Sequence, residues 1–367
     1  MMPEPPLERI LAQIAQSGPL TVAEYMAEAL YHRSGGYYAA GDPLGRLGDF
    51  ITAPEVSQMF GELVGFWILS TWIADGQKHP LTLIELGPGR GTMMSDMIRA
   101  FQSTNIDLNA LDIHLVETNS DLRTMQDHAL KGLSPTWHDD LSTLPNQPWY
   151  LVTNEFLDAL PVHQIVWSRG AWRELVVIAN KTGNGLAWGV EKTPSPLANH
   201  ISDHPPNQTV DGLVFEMSPA VESVVTAVAY QVATQGGGAL FIDYGEERQG
   251  RGSSLQAIRG QKFVDPLIDP GFADLSCHVD FSLVSEAARR HGASVHGPVS
   301  QCQFLLEMGI EQRANTLMEN ASEDQKVKID EALHRLIGKE EMGTLFKVIA
   351  LTSPGGITPA GFVRGIG

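Results

Sequence analysis

The sequence predicts an α/β protein built on a doubly wound, mostly parallel sheet, with an N-terminal helical extension and a β-rich insert. Three observations carry this expectation. From residue 81 onward, apolar runs of strand length alternate with stretches of helical periodicity. The first strand–helix pair, "LTLIELGPGRGTMMSDMIRAF" over 81–101, is joined by the tight turn Gly87-Pro88-Gly89-Arg90-Gly91. Between about residues 161 and 215 the alternation gives way to β-rich runs separated by Arg169-Gly170 and Gly183-Asn184-Gly185, the signature of a hairpin or small meander.

Taken in order, residues 1–80 read as the helical extension and a loop that covers the cofactor. Residues 7–16 and 21–31 are amphipathic helices, and Thr21 with Glu24 has the spacing of a capping box. "HRSGGYYAAGDPLGRLGDFITAPEVS" (32–57) is too rich in Gly and Pro for a regular element, and a loop of this length is more often functional than idle. Within it, Asp49 and Phe50 are flanked by Gly41, Gly45 and Gly48 and are placed either to close over a ligand or to form an ordered connection. A helix over 57–73 puts Phe60, Leu63, Val64, Trp67 and Ile68 on its apolar side. In the core, 81–367, Met93, Met94, Met97, Ile98 and Phe101 mark the first crossover helix. A strand at 113–117, a helix at 120–130, a short segment at 134–137 and a strand at 149–153 follow. After the insert come a strand at 212–216, a helix at 219–235, a strand at 238–244 and a helix at 281–291. A helical elaboration at about 300–340, including a polar helix at 322–337, leads to a last strand at 344–351. "HISDHPPNQTVDG" reads as a surface loop, and no internal repeat is visible.

Composition narrows the functional classes. The 367 residues carry 25 Lys and Arg against 43 Asp and Glu, a formal net charge of −18. Such a balance argues against nucleic acid as a partner, because that affinity rests on cationic contacts to phosphate. It favours a basic partner or substrate, or serves solubility alone. No uncharged apolar run reaches the roughly 18 residues of a membrane span. The first ten residues resemble neither a signal peptide nor a transit peptide, so the expected location is cytoplasmic. Cys277 and Cys302 cannot form a disulfide framework, and His163 and His278 stand without metal-ligand spacing, so no metal is expected.

The glycine turn points to a ligand. Its G-x-G-x-G pattern lacks the third spacing of a dinucleotide fingerprint and the lysine of a P-loop. Glycines there let the backbone take positive φ and approach a ligand closely. Glu85 precedes the turn, and Glu117 ends the second strand, where a carboxylate can accept both hydroxyls of a ribose. A cationic adenosine compound without a pyrophosphate, S-adenosylmethionine, suits such a carboxylate-lined cleft. Asp139 and Asp140 in "WHDDLSTLP" either accept from the adenine amine or form an exposed acidic turn. In "LVTNEFLDALP", Asn154, Glu155 and Asp158 follow the fourth strand. The two carboxylates can hold an arginine acceptor in bidentate pairs and stabilise its charge as methyl transfers. The other reading is an Asn cap with both acids in the first turn of a helix. Asp243 and Tyr244 end another strand, where substrate contact and edge packing are evenly matched.

Together, "GDFITAPEVSQMFGE", "IELGPGRGTMMSDMIR", "HLVETNSDLRTMQ", "TNEFLDALPVHQ", "GGGALFIDYGE" and "PGFADLSCHVDF" resemble the MidA-like methyltransferases, in that family's order. The resemblance implies a Rossmann-like class I methyltransferase fold using S-adenosylmethionine. It implies transfer to a protein arginine, with symmetric dimethylation of a complex I core subunit during assembly in mitochondrial members. By the same resemblance Gly87, Gly89, Gly91 and Glu117 hold the cofactor and Asn154 and Glu155 line the acceptor site. Thr153 stands where a smaller residue is usual, and Ser276 where threonine is common. An assembly chaperone that binds the cofactor with little catalysis, or a methyltransferase for small molecules, are the alternative expectations.

Overall fold

The computed structural model describes residues 5–39, 51–76, 80–104, 106–199, 210–247 and 252–362. Asp49, Phe50 and most of the loop "HISDHPPNQTVDG" lie outside the described residues.

The N-terminal region folds as its periodicity dictates. Helix α1 (Pro6–Ser17) opens on prolines, whose fixed φ suits a first turn. After β1 (Leu20–Thr21), helix α2 (Val22–Tyr31) starts at the expected capping box, with Thr21 and Glu24 bonded reciprocally. A short helical turn, α3 (Ala53–Val56), leads into α4 (Gln58–Ala74), capped by the Ser57 hydroxyl. Helix α4 is apolar nearly all round, so it is buried on all sides rather than on one stripe.

The main sheet is built from β2 (Leu81–Leu86), β3 (Leu111–Val116), β4 (Thr136–His138), β5 (Trp149–Asn154), β10 (Gly237–Glu246), β15 (Ser294–Ser300) and β16 (Phe346–Thr352). Its order is β15-β16-β10-β5-β2-β3-β4, and a two-residue strand, β14 (Val279–Asp280), adds to the end of β10. From β2 the chain steps outward to β3 and β4, then returns to β5 and steps the other way. Strands β2 and β5 therefore flank the topological switch point, where open α/β sheets form their ligand crevice. Strand β16 runs antiparallel to both of its neighbours, β10 and β15. Every residue of β2 and β5 is buried, as expected of strands covered on both faces.

Helices α4, α5 (Thr92–Gln102) and the C-terminal helices cover one face of this sheet, while Pro219–Gln235 and Phe281–Arg290 cover the other. Gly61 and Gly65 let α4 approach α5 closely: a Cβ built on Gly65 would lie 2.9 Å from Met97 Cα. Glu62, buried between these helices, is held by the Arg313 fork at 2.8 and 3.2 Å, which ties the C-terminal helix Ile310–Glu319 to α4.

The β-rich insert comprises β6 (His163–Ser168), β7 (Ala171–Ala179), β8 (Leu186–Val190) and β9 (Val214–Met217). The β6–β7 turn places Arg169 and Gly170 both at positive φ, as a tight two-residue hairpin requires. β1 adds to β7 in antiparallel register, so the N-terminal extension and the insert share one sheet. Two features lack a clear sequence signal: a three-stranded sheet of β11 (Gln256–Arg259), β12 (Lys262–Val264) and β13 (Asp274–Ser276), and strand β15. The last strand starts at Phe346 rather than 344 because 342–345 form a helical turn.

The α4–α5 contact yields a stability prediction. Replacing Gly65 with valine forces a branched side chain onto Met97 and should lower the unfolding free energy by about 2 kcal/mol or more in urea titration. An unchanged midpoint would show that the two helices separate without cost.

Candidate active site

A cavity of about 400 Å³ opens over the carboxyl ends of β2, β3 and β5, a size usual for small-molecule sites. Its floor is the glycine turn. Gly87, Gly89 and Gly91 all have positive φ (62°, 53° and 81°). A side chain at Gly87 would strike the Phe156 ring at 2.8 Å, so glycine is demanded by conformation and by space. Gly87, Pro88 and Gly89 line the cavity, while Gly91 sits just outside as the cap of α5. Gln126, fully buried on α6 (Ser120–Ala129), donates to Gly89 O at 2.7 Å and accepts from Trp137 Nε1 at 2.8 Å, bracing the turn from behind. Its place on the apolar phase of α6, four residues after Leu122, is the signal that could have marked it.

Glu85 is 2% exposed, and its Oε2 has no hydrogen-bond partner. Burial raises its carboxyl to about 8, with Asp96 adding to the rise and the Met94 N–H partly offsetting it. Glu117, at the end of β3, also lines the cavity. Burial raises its carboxyl as well, and the Asn119 N–H donating at 2.8 Å holds the rise down. Asp139 reaches the cavity rim paired with Arg123 at 2.6 Å. Asp140 does not line the cavity: its carboxylate caps the turn Leu141–Thr143 by accepting from the Ser142 N–H and hydroxyl.

Beyond β5 there is no helix for Asn154 to cap. Glu155 instead takes φ 52°, a left-handed conformation uncommon for a residue with a side chain. Its N–H donates to Ile242 O at 3.0 Å, and its Oε1 accepts from Ala53 N at 3.0 Å and Asn154 Nδ2 at 2.9 Å. Asn154 Oδ1 is buried without a partner. Burial pushes the Glu155 carboxyl up to about 8, with Asp243 and Asp274 adding to the rise. Asp158 lies behind this wall, not among the cavity-lining residues, and burial beside Asp243, Asp274 and Glu155 raises its carboxyl well above the usual range. Asp243 is fully buried and accepts from the N–H groups of Phe156, Leu157 and Tyr244, so it holds the turn after β5 in place.

Several wall residues escaped the sequence reading. Tyr31 and Tyr38 stack at 5.6 Å, with Tyr31 donating to Ala159 O and Tyr38 to Asp274 Oδ1 at 2.7 Å. Glu55 accepts from the Thr92 hydroxyl at 2.6 Å and lies 3.9 Å from Arg90, which fastens α3 over the glycine turn.

The family profile Methyltransf_28, of S-adenosyl-L-methionine-dependent methyltransferases, matches residues 63–299. The chain belongs to this family. The methyltransferase is 34% identical to the human protein arginine methyltransferase NDUFAF7, mitochondrial, covering 95% of this chain and 83% of that protein. The Xenopus tropicalis protein of the same name is also 34% identical, over 94% of this chain and 85% of its own. Among solved structures it matches a COG1565 superfamily member from Burkholderia thailandensis bound to S-adenosylhomocysteine, at TM-score 0.84 and 29% identity, covering 98% and 94% of the two chains. The methyltransferase uses S-adenosylmethionine as cofactor, and among the described residues no helix is long and apolar enough to cross a membrane.

If the glycine turn is the cofactor's floor, Gly87→Val should abolish binding of S-adenosylhomocysteine in calorimetry while the circular dichroism spectrum stays native. Binding at wild-type affinity would remove the turn from the site.

Proposed function

We propose that this methyltransferase transfers a methyl group from S-adenosylmethionine to an arginine side chain of a partner protein, in the setting of NADH dehydrogenase (complex I) assembly. The observation that carries the arginine reading is the Asn154–Glu155 pair: a buried carboxylate and an unpartnered amide oxygen at the switch point, with Glu155 in a left-handed conformation that turns it into the cavity wall. The relatives named as protein arginine methyltransferases, matched along 94% and 95% of this chain, support it.

The residues present fit the cofactor. The three positive-φ glycines offer backbone at close range, and the orphaned Glu85 carboxylate oxygen suits a cationic group. In this reading Glu85, Gly87, Pro88, Gly89 and Gly91 form its floor and anchor, Glu117 takes the ribose hydroxyls, and Asp139 stands by the adenine. Asp140 would act only through the turn it caps. When bound, the cofactor supplies an electrophilic methyl on a positively charged sulfur.

The remaining work falls to the chain. Glu155 and Asn154 accept from the guanidinium and aim one nitrogen, so that positioning supplies much of the acceleration. Asp158, from behind, adds negative charge to the same wall only in its ionised form, which burial disfavours. As the nitrogen–methyl bond forms and the carbon–sulfur bond breaks, the nitrogen must shed a proton. A carboxyl raised toward 8 accepts a proton better than an ordinary carboxylate does.

Two outcomes test this. Glu155→Gln keeps the shape of the side chain but loses its charge, and should retain S-adenosylhomocysteine binding while arginine methylation falls by about 100-fold or more; full turnover would remove Glu155 from the mechanism. The raised carboxyl also sets a pH dependence. The ionised form pairs with the guanidinium, so kcat/KM should rise as pH climbs from 7 to about 9, through the Glu155 value of about 8. A bound cation favours that ionised form, so kcat should rise at lower pH than kcat/KM. A flat kcat/KM over this range would contradict the proposed pairing.

A further inference from the structure

Apart from Asp274, the β11–β13 sheet plays no part in the chemistry described above, yet it carries an unusual face. Register places Ile258 opposite Phe263 on one side and opposite Asp274 on the other. Paired residues project to the same face, so Phe263, Ile258 and Asp274 form a row across three strands. The next row, Ala257 and Leu275, points the other way and is buried in the core beneath α1 and α2. The row from Phe263 to Asp274 is thus the outer face. Its far end is apolar and open, with Phe263 75% exposed. Its near end abuts the cavity wall: Asp274, not itself a lining residue, accepts from the hydroxyl of Tyr38, which lines the cavity. Tyr25 anchors the sheet by donating to Pro266 O, so the face is held in a fixed relation to the site.

We propose that this outer face, from Phe263 to Asp274, is the docking surface for the methyl-accepting protein, taking an extended basic segment with an apolar side chain near the target arginine. The inference rests on the arginine reading above. Two features on the face select this occupant. Of the residues the register places in this row, Asp274 is the charged one and it is acidic, while Arg259 and Lys262, paired one step along their strands, project to the opposite face, on a chain whose net charge is −18. The face also ends beside the cavity wall, since Asp274 is bonded to Tyr38 and lies close enough to Glu155 to raise its carboxyl, so a segment lying on it delivers its cation to the carboxylates and its apolar side chain to Phe263. Two strand spacings separate Phe263 from Asp274, about 10 Å, which an extended segment crosses in about three residues.

The test uses synthetic peptides with one central arginine in a basic background and a single leucine scanned from five positions before it to five after, methylated with radiolabelled S-adenosylmethionine. Wild-type enzyme should show its lowest KM with leucine about three positions from the arginine. Phe263→Ser, at an exposed position, should bind S-adenosylhomocysteine normally, lose the leucine preference and raise KM about tenfold with kcat unchanged. Phe263→Leu should restore both. Equal KM and equal preference in wild type and Phe263→Ser would overturn the docking surface and leave the arginine reading standing. Absence of labelled arginine on every peptide with the wild-type enzyme would overturn the arginine reading and the docking surface with it.

Discussion

A carboxylate is costly to hold in a protein interior, and this fold holds one at the point where its sheet reverses direction. Glu155 is kept there by its backbone, which takes a left-handed turn and donates to Ile242 O on the neighbouring strand. Its side chain is kept there by the Ala53 N–H and the Asn154 amide. These contacts draw on three separate parts of the chain: the N-terminal extension, β5 and β10. Asp243 adds a fourth constraint by accepting from successive N–H groups of the turn that follows. The arrangement of the N-terminal helices over the sheet is therefore tied to the placement of one acidic group, and the cavity wall is complete only when all of these elements are docked.

Much of the framework was legible in the sequence because local rules and tertiary packing agree. The capping box at Thr21 and Glu24, the tight hairpin at Arg169-Gly170 and the helix Pro219–Gln235 all follow from short-range chemistry. The alternation of apolar runs placed β2, β3, β5 and β10 to within two residues at their starts and ends. Strands β11 to β13 escaped because they are only three or four residues long, and β12 is exposed throughout, so no periodicity could emerge. The sharing of one sheet between β1 and the insert was equally hidden, since a two-residue strand has no pattern of its own.

The candidate site divides along the same line. Glu85, Glu117, Asn154 and Glu155 were singled out at strand ends because the topology of a doubly wound sheet says where to look, and all four line the cavity. Tyr31, Tyr38 and Glu55 were missed because they come from the segment before the sheet and reach the cavity only through folding. Asp139 and Asp140 look alike in sequence, yet one faces the rim beside Arg123 and the other caps a turn. The alternative reading of a helix capped by Asn154 gives way to the strained turn at Glu155, a local departure of the kind that active sites sustain and the surrounding packing must enforce.

The central claim is that the carboxylates at the switch point orient a guanidinium toward the transferred methyl. The most direct measurement is tandem mass spectrometry of protein acceptors after incubation with the enzyme and S-adenosylmethionine carrying a heavy-isotope methyl group. The account predicts heavy methyl on arginine guanidino nitrogen, and its loss with Glu155→Gln. Heavy methyl on lysine, on carboxyl groups or on small molecules alone would contradict it.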